Sequence, residues 1–462
     1  MWTLAQAVAQ AGGHLVGADA GFGRVVTDSR SDCTAGLFVA LKGERFDAHA
    51  FVPQAATNGA VAALVERPLP LDLPQWVVDD TRLGLGRLAA VWRDRIPARV
   101  VAITGSNGKT TCKEMVAAIL GQVGSVRATQ GNLNNDIGMP LTLLRARDED
   151  WLVLEMGANH PGEIGYLTDI ARPQAALITN AGRAHLEGFG SVEGVARAKG
   201  EIARGLPPDG TFVVPGDSPW IGLWRDLAQG RRVLTFGLDP SCEVRADPAA
   251  VTGDWGEAGF ATRFDADVAG QRCTLTVALA GLHNIRNALA AAALATALGI
   301  GPEAVSAGLA SLRPVPGRLE PKDLGGLRLI DDTYNANPDS VQAAIDVLVG
   351  LAGRPVLVLG DLGELGPAAA RLHREVGEAA RAAGVEALYA AGDLSREAVI
   401  GFGPGPGAHH FDHQADLISA LRRDLDPGDI VLVKGSRRAA MDLVVAALAQ
   451  RPFAAHREAS GV

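Results

Sequence analysis

The sequence contains few cysteines and lacks a strongly hydrophobic stretch of membrane-spanning length. Its four cysteines, Cys33, Cys112, Cys242 and Cys273, are far apart, with no CxxC pair and no histidine-rich cluster among them. This spacing argues against a disulfide framework or a zinc site and favours ordinary thiols in a reducing compartment. The apolar stretches fall short of the roughly 18 consecutive residues that a transmembrane helix requires.

Positive charge is also in deficit. The 462 residues include 43 lysines and arginines against 52 aspartates and glutamates, a net charge of −9. This balance argues against non-specific binding of nucleic acid or anionic membranes, although backbone amides and one lysine can still bind phosphate locally. No lysine or arginine precedes Arg24, so the amino terminus does not resemble a signal peptide. We therefore expect a cytoplasmic protein with no nucleic-acid partner and no membrane insertion.

Two breaker segments divide the chain. Hydrophobic residues make up 47% of it, which is enough for several buried cores and excludes intrinsic disorder. Pro97 precedes the β-branched run 100–103, and the segment 313–317 (Arg-Pro-Val-Pro-Gly) cannot lie inside a helix. We therefore predict three domains, which cover residues 1–96, 97–314 and 315–462.

Short apolar runs alternate with helical patterns on both sides of the second breaker. The runs lie at 100–103, 151–156, 175–179, 211–214, 232–236, 327–330, 355–359, 387–390 and 430–433. Such alternation is typical of parallel sheets with crossover helices. The predicted fold class is α/β, with a central parallel-sheet domain, a Rossmann-like C-terminal domain and a small α/β N-terminal domain whose first helix is capped by Thr3.

A glycine-rich loop follows the first strand of the central domain. It consists of Thr104, Gly105, Ser106, Asn107, Gly108, Lys109, Thr110 and Thr111, and a helical pattern follows at 112–120. Glycines let the backbone wrap around phosphate oxygens, and a helix N-terminus directs free N–H groups at the anion. The loop is shorter than the general GxxxxGK[ST] pattern, and Ile103 stands where that pattern has its first glycine. It predicts a phosphate-binding P-loop; the alternative is a tight strand-to-helix turn with a solvated lysine.

Three further polar side chains follow in the central domain. Glu155 lies at the end of the run 151–156, where a nucleotide enzyme holds Mg²⁺. His185 follows the run 175–179, and Lys199 lies within a helical pattern. A single histidine is usually a surface or core residue and a helical lysine is usually solvated, so the residues alone leave both roles open.

Together these motifs resemble those of the Mur ligases, the ATP-dependent amide-bond ligases of peptidoglycan precursor synthesis. The resemblance lies in the runs 27–30, 37–43, 104–111, 130–138, 155–160, 180–187, 331–338 and 433–437. It implies catalytic roles for Lys109, Glu155, His185 and Lys199, with ATP and two Mg²⁺ ions as cofactors. Thr110, Glu155, His185 and a carbamylated Lys199 are the implied metal ligands.

The resemblance also implies where the substrates bind. It assigns Ser29, Arg30 and Lys42 to the UDP-linked sugar, and Lys434 and Ser436 to the acceptor. The implied ATP contacts beyond the loop are Asn284, Arg318, Asp332, Asn335 and Asn337. The chain departs from the family pattern at Ala48, where glycine is usual, and alanine takes a positive φ less readily than glycine.

The run 331–338 (Asp-Asp-Thr-Tyr-Asn-Ala-Asn-Pro) resembles most the ligases that join D-Ala-D-Ala to UDP-MurNAc-tripeptide. The implied partners are these two small molecules, and we expect a monomer. One alternative is a sister ligase that adds a single amino acid, although the Asp-Asn-Pro-Arg string of a diaminopimelate-adding relative is absent from the sequence. A folylpolyglutamate-synthetase-like ligase is another alternative. A non-enzymatic nucleotide switch would need the loop but not Glu155, His185 and Lys199.

Overall fold

The structure is a computed structural model that describes residues 2–43, 46–256 and 259–450. Within these ranges strands alternate with helices along the chain, and three main sheets form in consecutive stretches of sequence. The predicted α/β fold class is confirmed. The domain boundaries at 96/97 and 314/315 stay predictions.

The first stretch of the chain forms a small α/β unit. Its elements are β1 (Trp2–Thr3), α1 (Leu4–Ala11), β2 (His14–Val16), β3 (Gly21–Phe22), β4 (Arg24–Val26), β5 (Gly36–Val39), α2 (Val52–Thr57), β6 (Ala60–Val65), β7 (Gln75–Val77) and α3 (Thr81–Arg93). The sheet order is β2-β7-β6-β5-β4, parallel except at β2. The Thr3 hydroxyl accepts a hydrogen bond from the N–H of Gln6, which confirms the predicted cap of α1.

Ala48, the departure from the family pattern, causes no backbone strain. It begins a 3-10 turn, Ala48–Phe51, and it is not among the residues with positive φ. Its N–H donates to the carbonyl of Leu41 at 3.0 Å, and its side chain is buried. The local turn therefore accommodates alanine in place of the usual glycine without a positive φ.

The second stretch forms a large, mostly parallel sheet with helices on its faces. Its elements are β8 (Arg99–Thr104), α4 (Lys109–Leu120), β9 (Val126–Ala128), α5 (Gly138–Arg145), β10 (Trp151–Glu155), α6 (Glu163–Ala171), β11 (Ala175–Ile178), α7 (Leu186–Phe189), α8 (Val192–Gly200), β12 (Thr211–Pro215), α9 (Ile221–Leu227), β13 (Arg232–Gly237), β14 (Val244–Ala246), β15 (Thr252–Gly256), β16 (Gly259–Val268), β17 (Gln271–Val277), α10 (Leu282–Ala297) and α11 (Pro302–Ala310). Strand β8 lies between β10 and β11, and all three are parallel. The segments that follow these strands therefore meet at one edge of the sheet.

The prediction did not include the antiparallel part of this sheet. Strand β16 pairs antiparallel with β14, β15 and β17. Its side chains alternate between buried and more exposed along Gly259–Val268, so the period of two that marks a half-buried strand was present in the sequence. Two predicted helices also differ in their bounds. Helix α4 begins at Lys109 rather than at 112. The helical pattern around Lys199 predicts a helix over 192–206, but α8 ends at Gly200 and a 3-10 helix follows.

The third stretch forms a smaller sheet between helices. Its elements are β18 (Glu320–Asp323), β19 (Arg328–Asp332), α12 (Pro338–Val349), β20 (Arg354–Gly360), α13 (Ala369–Ala383), β21 (Ala387–Ala391), α14 (Ser395–Phe402), β22 (Ala408–Phe411), α15 (Gln414–Asp424), β23 (Asp429–Lys434) and α16 (Asp442–Ala449). The order is β18-β19-β23-β20-β21-β22, parallel except at β18. Asp332 is the last residue of β19, not part of the loop after it.

Helix α10 packs behind the glycine-rich loop. Its residues from Ala288 to Ala295 are fully buried, and the small side chains let the helix approach both the sheet and α4. Across the described ranges, no helix combines the length and apolar character needed to cross a bilayer.

Candidate functional site

The glycine-rich loop joins β8 to α4, and its two glycines are required by their surroundings. Gly108 has a φ of 79° and Gly105 a φ of 147°. A Cβ at Gly108 would collide with the Asn287 side chain, and one at Gly105 with the Thr179 hydroxyl. The loop thus combines left-handed backbone with close packing, which only glycine allows.

The segment after β11 holds the loop in place. The Thr179 hydroxyl and the Asn180 amide donate to the carbonyl of Asn107 at 2.6 and 3.0 Å. The N–H of Asn107 donates back to Asn180 Oδ1 at 2.9 Å. Neither Thr179 nor Asn180 was among the predicted site residues, although Asn180 begins one of the family-like runs.

The loop lysine is held against its own loop. Lys109 Nζ donates to the carbonyls of Gly105 at 2.7 Å and Ser106 at 3.2 Å. Burial lowers the pKa of Lys109, an effect that the charge of Glu155 opposes. Because neutral carbonyls are its only hydrogen-bond partners in the described structure, the ammonium charge is free to bind an anion.

Thr110 and Glu155 meet at the start of α4. The Thr110 hydroxyl donates to Glu155 Oε2 at 2.8 Å, and the amide of Asn134 donates to Glu155 Oε1 at 2.8 Å. A hydroxyl and a carboxylate are hard oxygen ligands, so this pair fits Mg²⁺. Asn134, which orients the carboxylate, was not predicted; it lies in the run 130–138.

His185 lies on the same rim, with a left-handed φ of 54°. Its Nδ1 atom contacts the carboxylate of Glu364 without the geometry of a hydrogen bond. The ring edge faces Phe189 with 6.5 Å between ring centroids. Among the described side chains, no three histidines, cysteines, aspartates or glutamates gather into a metal cluster. A complete Mg²⁺ shell here would therefore need oxygens from other groups.

Lys199 is buried rather than solvated. Its side chain is 1% exposed, and Nζ lies 3.4 Å from the Ala158 carbonyl and 5.2 Å from the centroid of the Phe189 ring. Burial, with a second contribution from the positive charge of Lys109, lowers the pKa of Lys199 to about 7. A substantial fraction of this amine is therefore neutral and nucleophilic near neutral pH.

A cavity of about 1310 Å³ lies between the second and third stretches of the chain. The predicted residues that line it are Ser106, Asn107, Gly108, Lys109, Thr110, Thr111, Glu155, His185, Asn284, Arg318, Asp332, Asn335, Asn337 and Lys434. Thr104, Gly105, Lys199 and Ser436 are buried and do not contribute to the lining. The volume exceeds the upper end of the typical small-ligand range, roughly 1,000 Å³, and suits more than one substrate.

The third stretch supplies an arginine to the loop. Arg318 Nη2 donates to the Thr110 hydroxyl at 2.9 Å, and its guanidinium lies 4.1 Å from the centroid of the Tyr334 ring. Its Nε is buried without a hydrogen-bond partner in the described ranges. Asn337 and Asn107 exchange amide hydrogen bonds of 2.7 and 3.4 Å across the same cavity.

Lys434 is neutralised within the third stretch. Its side chain is 2% exposed, and Nζ donates to Asp332 Oδ2 at 2.5 Å and to the carbonyl of Asn335 at 3.1 Å. Nearby, burial lowers the pKa of His283 to about 4, although the charge of Asp332 opposes this. His283 and the ion pair of Arg286 with Asp217, 2.7 Å long, also line the cavity and were not predicted.

The predicted UDP-sugar residues lie elsewhere. Ser29 donates to Gln54 Oε1 at 2.9 Å, and Arg30 binds both carboxylate oxygens of Asp28 at 2.9 Å each. That contact lowers the pKa of Asp28 to about 2. Ser29, Arg30 and Lys42 do not line the cavity. The structure therefore does not bring them together with the glycine-rich loop.

Comparisons with known proteins agree along the chain. Residues 103–295 match the model of the Mur ligase middle domain, and residues 317–437 match that of the Mur ligase, glutamate ligase domain. The UDP-N-acetylmuramoyl-tripeptide–D-alanyl-D-alanine ligase of Escherichia coli strain K12 is 47% identical over 452 residues, which cover 96% of this chain and 98% of the relative.

Two solved structures are similar over almost the full length. Crystal structure I of MurF from Acinetobacter baumannii has a TM-score of 0.90 and 36% identity, and the match covers 97% of this chain and 99% of that one. MurF ligase from Thermotoga maritima in complex with ADP has a TM-score of 0.83 and 30% identity, with coverage of 92% and 97%.

Proposed function

The chain belongs to the Mur ligase family, and from this premise we propose that it joins D-Ala-D-Ala to UDP-MurNAc-tripeptide. The reaction converts ATP to ADP and phosphate and yields UDP-MurNAc-pentapeptide for peptidoglycan synthesis. The observation that carries the proposal is a single cavity lined both by the glycine-rich loop and by Arg318, Asn335 and Asn337 of the third stretch. The relative with 47% identity, named for this reaction, favours the dipeptide over a single amino acid as acceptor.

The chemistry explains why ATP is needed. A carboxylate is a poor electrophile, so its oxygen first attacks the γ-phosphorus of ATP and ADP leaves. The product is an acyl phosphate. The amine of D-Ala-D-Ala then attacks the acyl carbon, loses a proton, and expels phosphate as the amide bond forms. Water must be excluded between the two steps, since it would hydrolyse the acyl phosphate.

Two cations of this chain offset the repulsion between the carboxylate and the γ-phosphate. Lys109 has neutral carbonyl partners, and Arg318 has an unpaired Nε beside the Thr110 hydroxyl. These donors are preorganised around the position of the triphosphate, which lowers the barrier to phosphoryl transfer. Asn284, Asp332, Asn335 and Asn337 are proposed to contact the nucleotide.

Thr110, Glu155, His185 and a carbamylated Lys199 would hold two Mg²⁺ ions. When bound, Mg²⁺ neutralises phosphate charge and orients the phosphate oxygens. The lowered pKa of Lys199 supports carbamylation, because CO₂ reacts only with the neutral amine. The carbamate would add two anionic oxygens to those of the Glu155 carboxylate, whereas His185 would contribute a ring nitrogen.

The remaining assignments follow the family. Ser29, Arg30 and Lys42 are proposed to bind the UDP end of the sugar substrate, and the three domains are proposed to cover 1–96, 97–314 and 315–462. Because ATP and UDP-linked precursors are cytoplasmic compounds, the proposal implies a cytoplasmic enzyme.

An acceptor panel tests the proposal. The purified chain is given ATP, Mg²⁺ and UDP-MurNAc-tripeptide, together with D-Ala-D-Ala, D-Ala, L-lysine or L-glutamate. We expect one phosphate per pentapeptide with the dipeptide alone, measured by phosphate release and product mass. Ligation of a single amino acid would instead support a sister ligase. Phosphate release that ignores every acceptor would support a nucleotide switch.

A further inference from the structure

The acceptor of the proposed reaction carries a free carboxylate, and this inference rests on that proposed function. A cation with a planar fork of donors recognises a carboxylate through two parallel, charge-assisted hydrogen bonds, which add geometric specificity as well as affinity. An extended dipeptide spans at most about 7 Å. The partner of its carboxylate must therefore lie near the reacting phosphate but cannot be one of the groups that bind the phosphate.

Most cations of the cavity are already engaged. The described lysines and arginines that line it are Arg82, Lys109, Arg286, Arg318, Lys434 and Arg437. Arg82 pairs with Asp136 at 2.6 Å, Arg286 with Asp217 at 2.7 Å, and Lys434 with Asp332 at 2.5 Å. Lys109 and Arg318 adjoin the glycine-rich loop and serve the phosphates.

Arg437 differs from all of these. It is the first residue of a 3-10 turn, Arg437–Ala439, and its side chain is 71% exposed. The carboxylate of Asp442 lies 3.9 Å from its Nη1, beyond hydrogen-bond distance. Its planar fork of donors therefore remains available for a carboxylate, which such a fork binds through two parallel hydrogen bonds.

The backbone of Arg437 is tied to the reaction centre. The preceding residue, Ser436, is buried and donates its N–H to the carbonyl of Asp361 at 2.9 Å. The N–H of Arg437 lies 3.4 Å from Asn335 Oδ1, and the neighbouring Tyr334 ring packs under Arg318. Through Asn335 and the adjacent Tyr334, these contacts connect Arg437 with Arg318, which donates to the Thr110 hydroxyl.

We propose that Arg437 binds the carboxylate of the acceptor dipeptide and makes a free carboxylate a condition of substrate recognition. Lys434, to which the family resemblance gives an acceptor role, holds Asp332 and the segment after β19 instead. The division follows from charge: the buried lysine already has its carboxylate, whereas the exposed arginine beside it has none within hydrogen-bond distance among residues 2–43, 46–256 and 259–450.

The test pairs a variant with a modified acceptor. Steady-state kinetics are measured with D-Ala-D-Ala and with its C-terminal amide, which lacks the negative charge. We expect the wild-type chain to show a KM about 10- to 100-fold higher for the amide. Arg437→Ala should raise the KM for D-Ala-D-Ala by a similar factor and should no longer distinguish the two acceptors. Arg437→Lys should retain part of the discrimination.

Arg438→Ala is the matched control, because Arg438 is the adjacent exposed arginine and does not line the cavity. Arg438→Ala should keep every KM value within about twofold of the wild-type value. Arg437→Ala should likewise keep the KM values for ATP and UDP-MurNAc-tripeptide within about twofold. If the wild type ligates D-Ala-D-Ala and Arg437→Ala distinguishes the dipeptide from its amide as strongly as the wild type does, this inference alone is overturned. A wild-type chain that ligates no D-Ala-D-Ala overturns the proposed function as well.

Discussion

Arg183, in the segment after β11, holds Asp339 in the first turn of α12 through two hydrogen bonds. Its backbone N–H donates to Asp339 Oδ2 at 2.6 Å and its Nε to Oδ1 at 2.7 Å, while Nη1 lies 3.3 Å from Glu375. Like the amide pair of Asn107 and Asn337, these contacts join the second stretch of the chain to the third. The charges of the protein itself thus help to hold the two stretches together.

Arg183→Ala should weaken the attachment of the third stretch to the second. The ion pair is partly exposed, so we expect a modest effect, a fall in kcat/KM of about 2- to 5-fold, and a larger radius of gyration by small-angle X-ray scattering. Arg197→Ala is the control, because Arg197 pairs with Glu193 on its own helix α8 at 2.8 Å. Equal effects of the two variants would argue against a role for Arg183 in joining the second and third stretches.

Lys109→Ala should abolish ATP turnover while the fold persists. Loss of a preorganised cation at the transferring phosphate should lower kcat at least about 100-fold. Phosphate release measures the rate, and circular dichroism checks the fold. Lys322→Ala, at the edge strand β18, serves as the control and should remain active. Ligation at the wild-type rate by Lys109→Ala would show that the glycine-rich loop does not bind the triphosphate.

Lys199→Ala should be inactive and partly restored by a short carboxylic acid that replaces the carbamate. The reason is that the variant keeps the cavity but lacks the anionic oxygens assigned to the carbamate. Activity is measured against acid concentration, with Lys109→Ala as the control that the acid should not rescue. Full activity of Lys199→Ala without any acid would exclude the carbamate.

Stability should depend on His283 between pH 6.5 and 4. The pKa of His283 falls from an ordinary 6.5 to about 4 on folding. In this window the unfolded chain binds a proton that the folded chain does not, so the free energy of unfolding decreases as the pH falls. Because the ring borders the cavity, we expect His283 to change the free energy of unfolding by about 1–2 kcal/mol across this pH range. Chemical denaturation of the wild type and His283→Asn at several pH values measures it; parallel curves would contradict the assignment.

The glycine-rich loop and the position of Glu155 could be predicted from the sequence because the signals for them are local. The β-branched run before Thr104 predicted β8, and the glycines predicted a loop that only glycine can form. Glu155 was predicted because apolar neighbours marked a buried strand that ends at it. Each of these inferences depends on residues that are adjacent in the chain.

The rest depended on contacts that adjacent residues do not reveal. A helical pattern does not show which face is covered, so the burial of Lys199 was not apparent. Lys434 and Arg437 are both cations three residues apart in the chain, and only the tertiary structure shows that Asp332 pairs with Lys434. Strand β16 is a different case, since the alternation of its buried and more exposed side chains has the period of two that predicts a half-buried strand.

The antiparallel extension of the central sheet also reaches the third stretch of the chain. Trp255 of β15 and Phe260 of β16, with ring centroids 4.8 Å apart, lie in one apolar cluster with Leu319 and Ile330. This attachment requires no substrate, and separating it would expose apolar surface to water. The third stretch is therefore anchored to the central sheet by apolar burial as well as by polar contacts, so that loss of the Arg183 contacts alone would leave it tethered.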